Sequence, residues 1–324
     1  MKRRFGAIDI GSNTLKLLIG ETDGTTVDPI HQESIQTRLG TGLVQTNNLS
    51  AAAMERSQSV MEHYVEQAHQ HAVEGILGTA TEAIRSAENG RTFVQALERR
   101  FNLPISIITG KEEAQLVFRG INSGPRIATD NQIIVDVGGG STEIILSRHG
   151  SLSSFQSFPV GSVRLLEAAQ MKGRLNLDLN QRFKELLNRQ YAPLIQQTLT
   201  PDIEAFSLVA SGGGAVVAAM LLEKTTHFCP PTIESNPLVL GDLDGLEEQL
   251  WKTTVEERRE FPGMPHDRAD LVPIGVSILT HLLRELSKIR LYVSTRGLRF
   301  GLIQQQFQSG ACPHPVNDER LRSQ

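Results

Sequence analysis

Residues 134–146 read IVDVGGGSTEIIL. An apolar run carrying an acid, three glycines, two hydroxyls and a second acid in a second apolar run predict strand, tight turn and strand. Glycine supplies the turn conformations that other residues resist. Residues 7–19, AIDIGSNTLKLLI, repeat the pattern, with Asp9 at the place of Asp136. The copies begin roughly 120–130 residues apart, a domain-sized period and not that of a solenoid. Two similar halves, each opening on a hairpin with a Gly/Ser-rich turn, predict a cleft with one turn on each wall, since pockets favour domain interfaces.

Outward from the first hairpin, residues 26–35 supply a third strand, and 49–71 have the Ser start and apolar spacing of a helix. Residues 73–80 read as a strand, 81–90 as a short helix closed by Asn89-Gly90, 91–101 as a helix, 104–110 as a strand and 111–121 as a helix opening on acids. After the second hairpin come a strand over 152–161 and helices over 162–170 and 180–197. Residues 206–223 read as strand, glycine turn and helix. Residues 267–288 read as one long helix with an early proline, 289–295 as a strand and 296–308 as a last helix. The polar tail from 309 reads as frayed.

At 324 residues the chain suits two domains. A net charge of −4 excludes a globally basic surface for DNA or an anionic membrane. An anionic ligand would need a local basic patch. The two cysteines, Cys229 and Cys312, fit a reducing compartment and no disulfide framework. The basic start MKRRFGAIDIGSN fails as a signal peptide because Asp9 breaks its short apolar stretch, and no run reaches the ~20 apolar residues of a membrane span. The expectation is a cytoplasmic α/β protein.

Phosphate needs several N–H donors converging on one point, and glycine turns provide them as backbone nests. Gly11-Ser12-Asn13-Thr14 and Gly138-Gly139-Gly140-Ser141-Thr142 fit, with hydroxyls as further donors. SGGG at 211–214 opens a helix, whose N-terminus adds free N–H groups and its dipole. Each could also be an ordinary tight turn. Asp9 and Asp136 suit Mg2+, or Mn2+ in its place, which takes one or two carboxylates with phosphate oxygens. Either acid could instead cap its own turn. Glu143 stands in an apolar strand, where an acid is either functional or solvated. Arg38, Arg85 and Arg164 lie near turns but read as surface residues on composition alone. Glu112 and Glu113 read as helix N-terminal acids. Cys229 with His227, and Cys312 with His314, lack zinc-ligand spacing. His69 and His71 read as solvated.

The ordered set of motifs resembles the exopolyphosphatase / guanosine pentaphosphate phosphohydrolase family, within the actin-like ATPase superfamily. RLGTGL (38–43), ATEAIRSAENG (80–90), ITGKEEAQLVFRG (108–120), PVGSVRLLE (159–167), RADLVPIG (268–275) and STRGLRFGL (294–302) join the two hairpins in it. The resemblance implies two RNase H-like α/β domains with mixed sheets flanked by helices and an active site in the cleft between them. The expected boundaries are 1–125 plus about 297–324 for the first and 126–296 for the second, with a linker over 122–131. It implies that Glu113 activates water, that Asp136, Glu143 and Asp9 serve the metal, and that Arg85 contacts phosphate. Polyphosphate or guanosine pentaphosphate is the implied substrate, with a homodimer as a family habit. A phosphotransferase and a nucleotide switch without turnover are the more distant readings. The sequence departs from the family at Gly214, where Thr is usual, and at Phe300, where an acid is common. It also ends soon after the last helix, so the expectation is a short form suited to short chains or a nucleotide.

Overall fold

The computed structural model describes residues 2–125, 129–168, 181, 183–189, 191 and 203–310. The expected helices over 162–170 and 180–197 and the linker over 122–131 fall partly outside these residues, as do the tail beyond 310 and its Cys312 and His314. The chain forms two compact units, Met1–Pro125 with Arg296–Gln324, and Arg126–Thr295.

In the first unit β1 (Arg3–Ile10), β2 (Thr14–Thr22) and β3 (Val27–Gln36) form an antiparallel meander. β4 (Ile76–Ala80) and β5 (Ile105–Ile107) then run parallel to β1, giving the order β3-β2-β1-β4-β5. β1 alternates its apolar residues between two covered faces, as a pleated strand must. Ile8 and Ile10 face the core beneath helix α2 (Ala51–Gln70), while Phe5 and Ala7 face a second cluster. The remaining helices before the crossover are α1 (Leu43–Thr46), α3 (Glu82–Ser86), α4 (Gly90–Phe101) and α5 (Gly110–Ile121). Asn89-Gly90 does not close a helix as expected. Asn89 is the N-cap of α4, and its side chain bonds the Leu49 backbone on both its amide and carbonyl sides.

The second unit holds β6 (Gln132–Val137), β7 (Thr142–Arg148), β8 (Ser151–Phe158), β9 (Ser207–Ser211), β10 (Leu238–Val239) and β11 (Arg290–Val293). Their order is β10-β11-β9-β6-β7-β8. Read from β8, five of these strands repeat the first unit's order, with β6, β9 and β11 parallel and β7 and β8 antiparallel. The RNase H-like strand order thus occurs twice, and β10 is an added edge. Around this sheet lie α6 (Ser162–Ala168), α7 (Gly213–Leu222), α8 (Pro230–Ser235), α9 (Leu240–Lys252), α10 (Val255–Arg259) and α11 (Val272–Glu285). The helix expected over 267–288 is shorter. It begins at Val272, with Pro273 in the first turn where a missing N–H costs nothing.

The last helix, α12 (Leu298–Ser309), packs in the first unit. Phe300 and Ile303 complete the cluster of Phe5, Ala7, Leu18 and Val27. A Cβ on Gly301 would fall 2.0 Å from the Leu116 carbonyl, so glycine alone lets α12 lie this close to α5. Phe300, the residue at which the sequence departs from the resembled family's common acid, is a 1 % exposed core residue.

Candidate active site

The two turns that open the units share one geometry. The Gly11 N–H donates to the Thr14 carbonyl at 3.2 Å, and the Gly138 N–H to the Ser141 carbonyl at 2.9 Å. A Cβ on Gly11 would sit 2.9 Å from Thr14 O, and one on Gly138 would sit 3.0 Å from Ser141 O. A side chain would crowd the closing carbonyl at the same place in both copies. Each turn closes on its own backbone. Among the described residues, the N–H groups of Ser12, Asn13, Gly139, Gly140 and Ser141 donate no backbone hydrogen bond. Unsatisfied N–H groups on consecutive residues are what an anion nest presents.

Neighbouring segments hold each turn by its carbonyls. Asn13 O accepts from the Thr37 and Arg38 N–H groups, and Ser12 O accepts from Gly40 N–H. In the second unit Gly138 O and Gly139 O accept from Ser162 and Val163 at the start of α6. Gly161 packs so tightly that a Cβ there would lie 2.5 Å from the Gly139 carbonyl. The Thr142 hydroxyl is not offered to this nest. It is fully buried, donates to Val160 O at 2.5 Å and contacts the Tyr191 hydroxyl at 2.8 Å. Thr142 therefore anchors the turn from within, and its expected role as a hydroxyl donor to phosphate is corrected. Thr14 and Ser141 are also buried, whereas Gly139 and Asn13 are half-buried.

The acids differ between the copies. Asp9 stands opposite Lys16, whose Nζ lies 3.6 Å from Asp9 Oδ2. Asp136 stands opposite Glu143 in the same register. Like charges directly across a strand pair repel, and Glu143 is 1 % exposed, so little solvent screens it. Ser157 Oγ donates to Glu143 Oε1 at 2.7 Å. The parallel neighbour of Asp136 is Ser211, whose buried hydroxyl has no hydrogen-bond partner. Two facing carboxylates with a spare hydroxyl beside them are hard oxygen ligands of the kind Mg2+ takes. Asp9 retains one buried oxygen, Oδ1, without a hydrogen-bond partner, but Lys16 already supplies its counter-charge. Mg2+ thus fits Asp136 and Glu143 better than Asp9. Among the described residues no group of three or more His, Cys, Asp or Glu is arranged to hold a metal ion, so protein carboxylates alone do not complete a shell.

In the first unit the ends of β1, β4 and β5 bring together the Gly11 turn, α3 and the start of α5. The two acids of KEEA divide the work. Glu112 forms a capping box with Thr109, which holds its carboxyl below the ordinary range through hydrogen bonds to the Thr109 backbone and side chain. Glu113 is left to turn inward, 7 % exposed, with Oε2 3.5 Å from Arg85 Nη1. Arg85 Nη1 also donates to Ile108 O at 2.6 Å. Arg85 is thus placed beside the acid expected to handle water.

A sequence profile of the Ppx/GppA phosphatase family matches residues 18–309. The chain belongs to the Ppx/GppA phosphatase family. A solved structure of the Aquifex aeolicus Ppx/GppA family member is similar at 25 % identity, covering 96 % of this chain and 99 % of that one, with a TM-score of 0.77. An exopolyphosphatase from Cytophaga hutchinsonii is similar at 26 % identity, covering 96 % of this chain and all of that one, with a TM-score of 0.83.

Within this Ppx/GppA fold, three polar residues went unread in the sequence. Glu82 is buried and accepts from Ser12 Oγ at 3.4 Å and Ser86 Oγ at 3.0 Å. Lys16 was passed over as part of a strand. Arg268 places Nη1 2.7 Å from where a Cβ on Gly213 would be, over the start of α7. Its motif, RADLVPIG, was visible, but nothing in the sequence linked it to the SGGG turn. Gly214, the unusual position in that turn, meets Gly275 of α11 instead, with the Gly275 Cα 3.4 Å from its ideal Cβ position.

Proposed function

We propose that this chain removes the terminal phosphate of linear polyphosphate by hydrolysis, with guanosine pentaphosphate as the competing substrate of the same chemistry. The observation that carries the reading is the duplicated self-closed turn with its free N–H groups. Membership of the phosphatase family and likeness to an exopolyphosphatase support it. Mg2+, or Mn2+ in its place, held by Asp136 and Glu143 would supply positive charge to phosphate oxygens as charge develops on them. The Gly139, Gly140 and Ser141 N–H groups bind and orient phosphate oxygens. Glu113 accepts a proton from the attacking water as the water oxygen bonds to the terminal phosphorus. The bridging P–O bond breaks, and its electrons leave with the shortened chain. Arg85, beside the Glu113 carboxylate, aims it at the water. Phosphoryl transfer asks chiefly for such positioning and charge, not for covalent work by the protein.

The test is phosphate release from polyphosphate, guanosine pentaphosphate and ATP side by side, with no acceptor, with and without Mg2+. Release from polyphosphate that vanishes on chelation is expected. Turnover of guanosine pentaphosphate alone would reverse the order of substrates. Tight nucleotide binding without release from any of them would replace the hydrolase with a switch.

A further inference from the structure

Tyr191 and Tyr64 stand at corresponding places in the two halves of the sequence, and each hydroxyl reaches the residue after a closed turn. The same offset of 127 residues separates Asp9 from Asp136 and Tyr64 from Tyr191. Aligned this way, Leu15 corresponds to Thr142, the residue after each closed turn. The Tyr64 hydroxyl, on α2, donates to the Leu15 carbonyl at 2.9 Å. The Tyr191 hydroxyl contacts Thr142 Oγ1 at 2.8 Å and donates to Val160 O at 3.2 Å. Both tyrosines are fully buried. Of the three tyrosines in the chain, two therefore end on the residue that follows a phosphate turn.

We propose that Tyr64 and Tyr191 are positioning residues, each fixing the shape of one phosphate turn from the buried side. This rests on the reading of the turns as phosphate nests. In the second unit the route is explicit. Thr142 Oγ1, Tyr191 Oη and Val160 O form a triangle of three oxygens that share two hydroxyl hydrogens. The triangle pins the Val160 carbonyl. The next residue, Gly161, is the one pressed against the Gly139–Gly140 peptide. The next two, Ser162 and Val163, donate to the carbonyls of Gly138 and Gly139. A hydroxyl in the core thus sets which way the turn's peptides face.

The ring of Tyr191 is itself held. Its centroid lies 5.9 Å from that of His281 on α11. Burial pushes its phenol well above the ordinary range, against the smaller opposing effect of the Thr142 hydrogen bond and with a lesser push from the charge of Glu143, so it stays protonated. In the first unit the hydroxyl acts on backbone directly. The Leu15 carbonyl is the first past the Thr14 carbonyl that closes the turn.

Removing only the hydroxyl tests this. Tyr191→Phe and Tyr64→Phe keep the ring and its packing. We expect each to raise the KM for polyphosphate about five- to tenfold, with kcat within about twofold, because uniform binding and not the chemical step is lost. Affinity for methylenediphosphonate, a non-hydrolysable diphosphate, should fall by the same factor by calorimetry. Thr142→Ser, which keeps a hydroxyl in the triangle, should retain wild-type affinity, and Thr142→Val should not. A purely structural role would lower the thermal midpoint and leave KM and diphosphate affinity unchanged, and that result overturns the proposal. Should Tyr191→Phe fail to fold, unchanged diphosphate affinity in Thr142→Val overturns it from the other side of the contact. If the wild type binds methylenediphosphonate but releases no phosphate, the hydrolase reading fails while the tyrosines are still tested by binding.

Discussion

Arg85 Nη1 lies 3.5 Å from Glu113 Oε2 and donates to the Ile108 carbonyl at 2.6 Å, so the arginine ties the end of β5 to the buried acid of α5. Glu113→Gln keeps a carbonyl oxygen for Arg85 but cannot take a proton. We expect kcat for phosphate release to fall by ~10²-fold or more, the usual worth of a general base, with the unfolding midpoint nearly unchanged. Near wild-type turnover in this variant would remove Glu113 from the mechanism.

Asp136 and Glu143 face each other across β6 and β7, whereas Asp9 faces Lys16. Glu143→Gln removes a like charge, and in Mg2+-free buffer it should stabilise the protein by about 0.2–1 kcal/mol. The same variant should need roughly tenfold more Mg2+ for half-maximal phosphate release, a loss of about 1.4 kcal/mol of metal binding. Urea titration and an Mg2+ titration read the two effects. A destabilised Glu143→Gln with an unmoved Mg2+ midpoint would count against the metal assignment.

Neighbouring glycines of one turn should respond oppositely. Gly212 has φ +92° and no room for a Cβ, which would fall 2.6 Å from Val137 O, so Gly212→Ala should cost about 1–3 kcal/mol or more in a urea melt. Gly214 is helical, with its nearest neighbour at 3.4 Å, so Gly214→Ala should be neutral or stabilising by up to ~1 kcal/mol. Equal responses would mean that the α7–α11 contact is tighter than described.

His281 is 6 % exposed, and burial holds its imidazole below the ordinary value of 6.5. The charges of Glu285, Arg284 and Glu247 act on it more weakly. The unfolded chain takes up this proton near pH 6.5, and the folded chain only at lower pH. Stability from this group is therefore full above that value, falls as the pH drops through it and levels off below the folded value. Urea melts at pH 7.5 and 5.5 should show wild type losing more stability than His281→Gln. Parallel losses in the two proteins would sink the idea.

The hairpins were legible because two simple signals coincide in them. Alternating apolar residues need two covered faces, and glycine is favoured where a Cβ would crowd the closing carbonyl. The pairing of Asp136 with Glu143 was not legible, nor was the Ser157 hydroxyl that Glu143 meets, because both depend on strand register across β6, β7 and β8. Asn89 misled because Asn-Gly is a stop signal in general. Here the Asn side chain is occupied by Leu49, a residue 40 positions away. The helix α10 was missed although Thr254 and Glu257 spell its capping box in sequence. Arg268 over Gly213 had no local signal at all, since only the packing of α11 beside α7 brings them together.

A turn that closes through its own backbone leaves its central side chains out of the closing bond. The middle pair is Ser12-Asn13 in one half and Gly139-Gly140 in the other, yet the closing bond is the same. The facing residue in the next strand is lysine in one half and glutamate in the other. After a duplication, such a frame lets the two copies drift toward opposite charge while each keeps its grip. Each half can then take on different chemistry beside the same frame, with no change of backbone to accommodate.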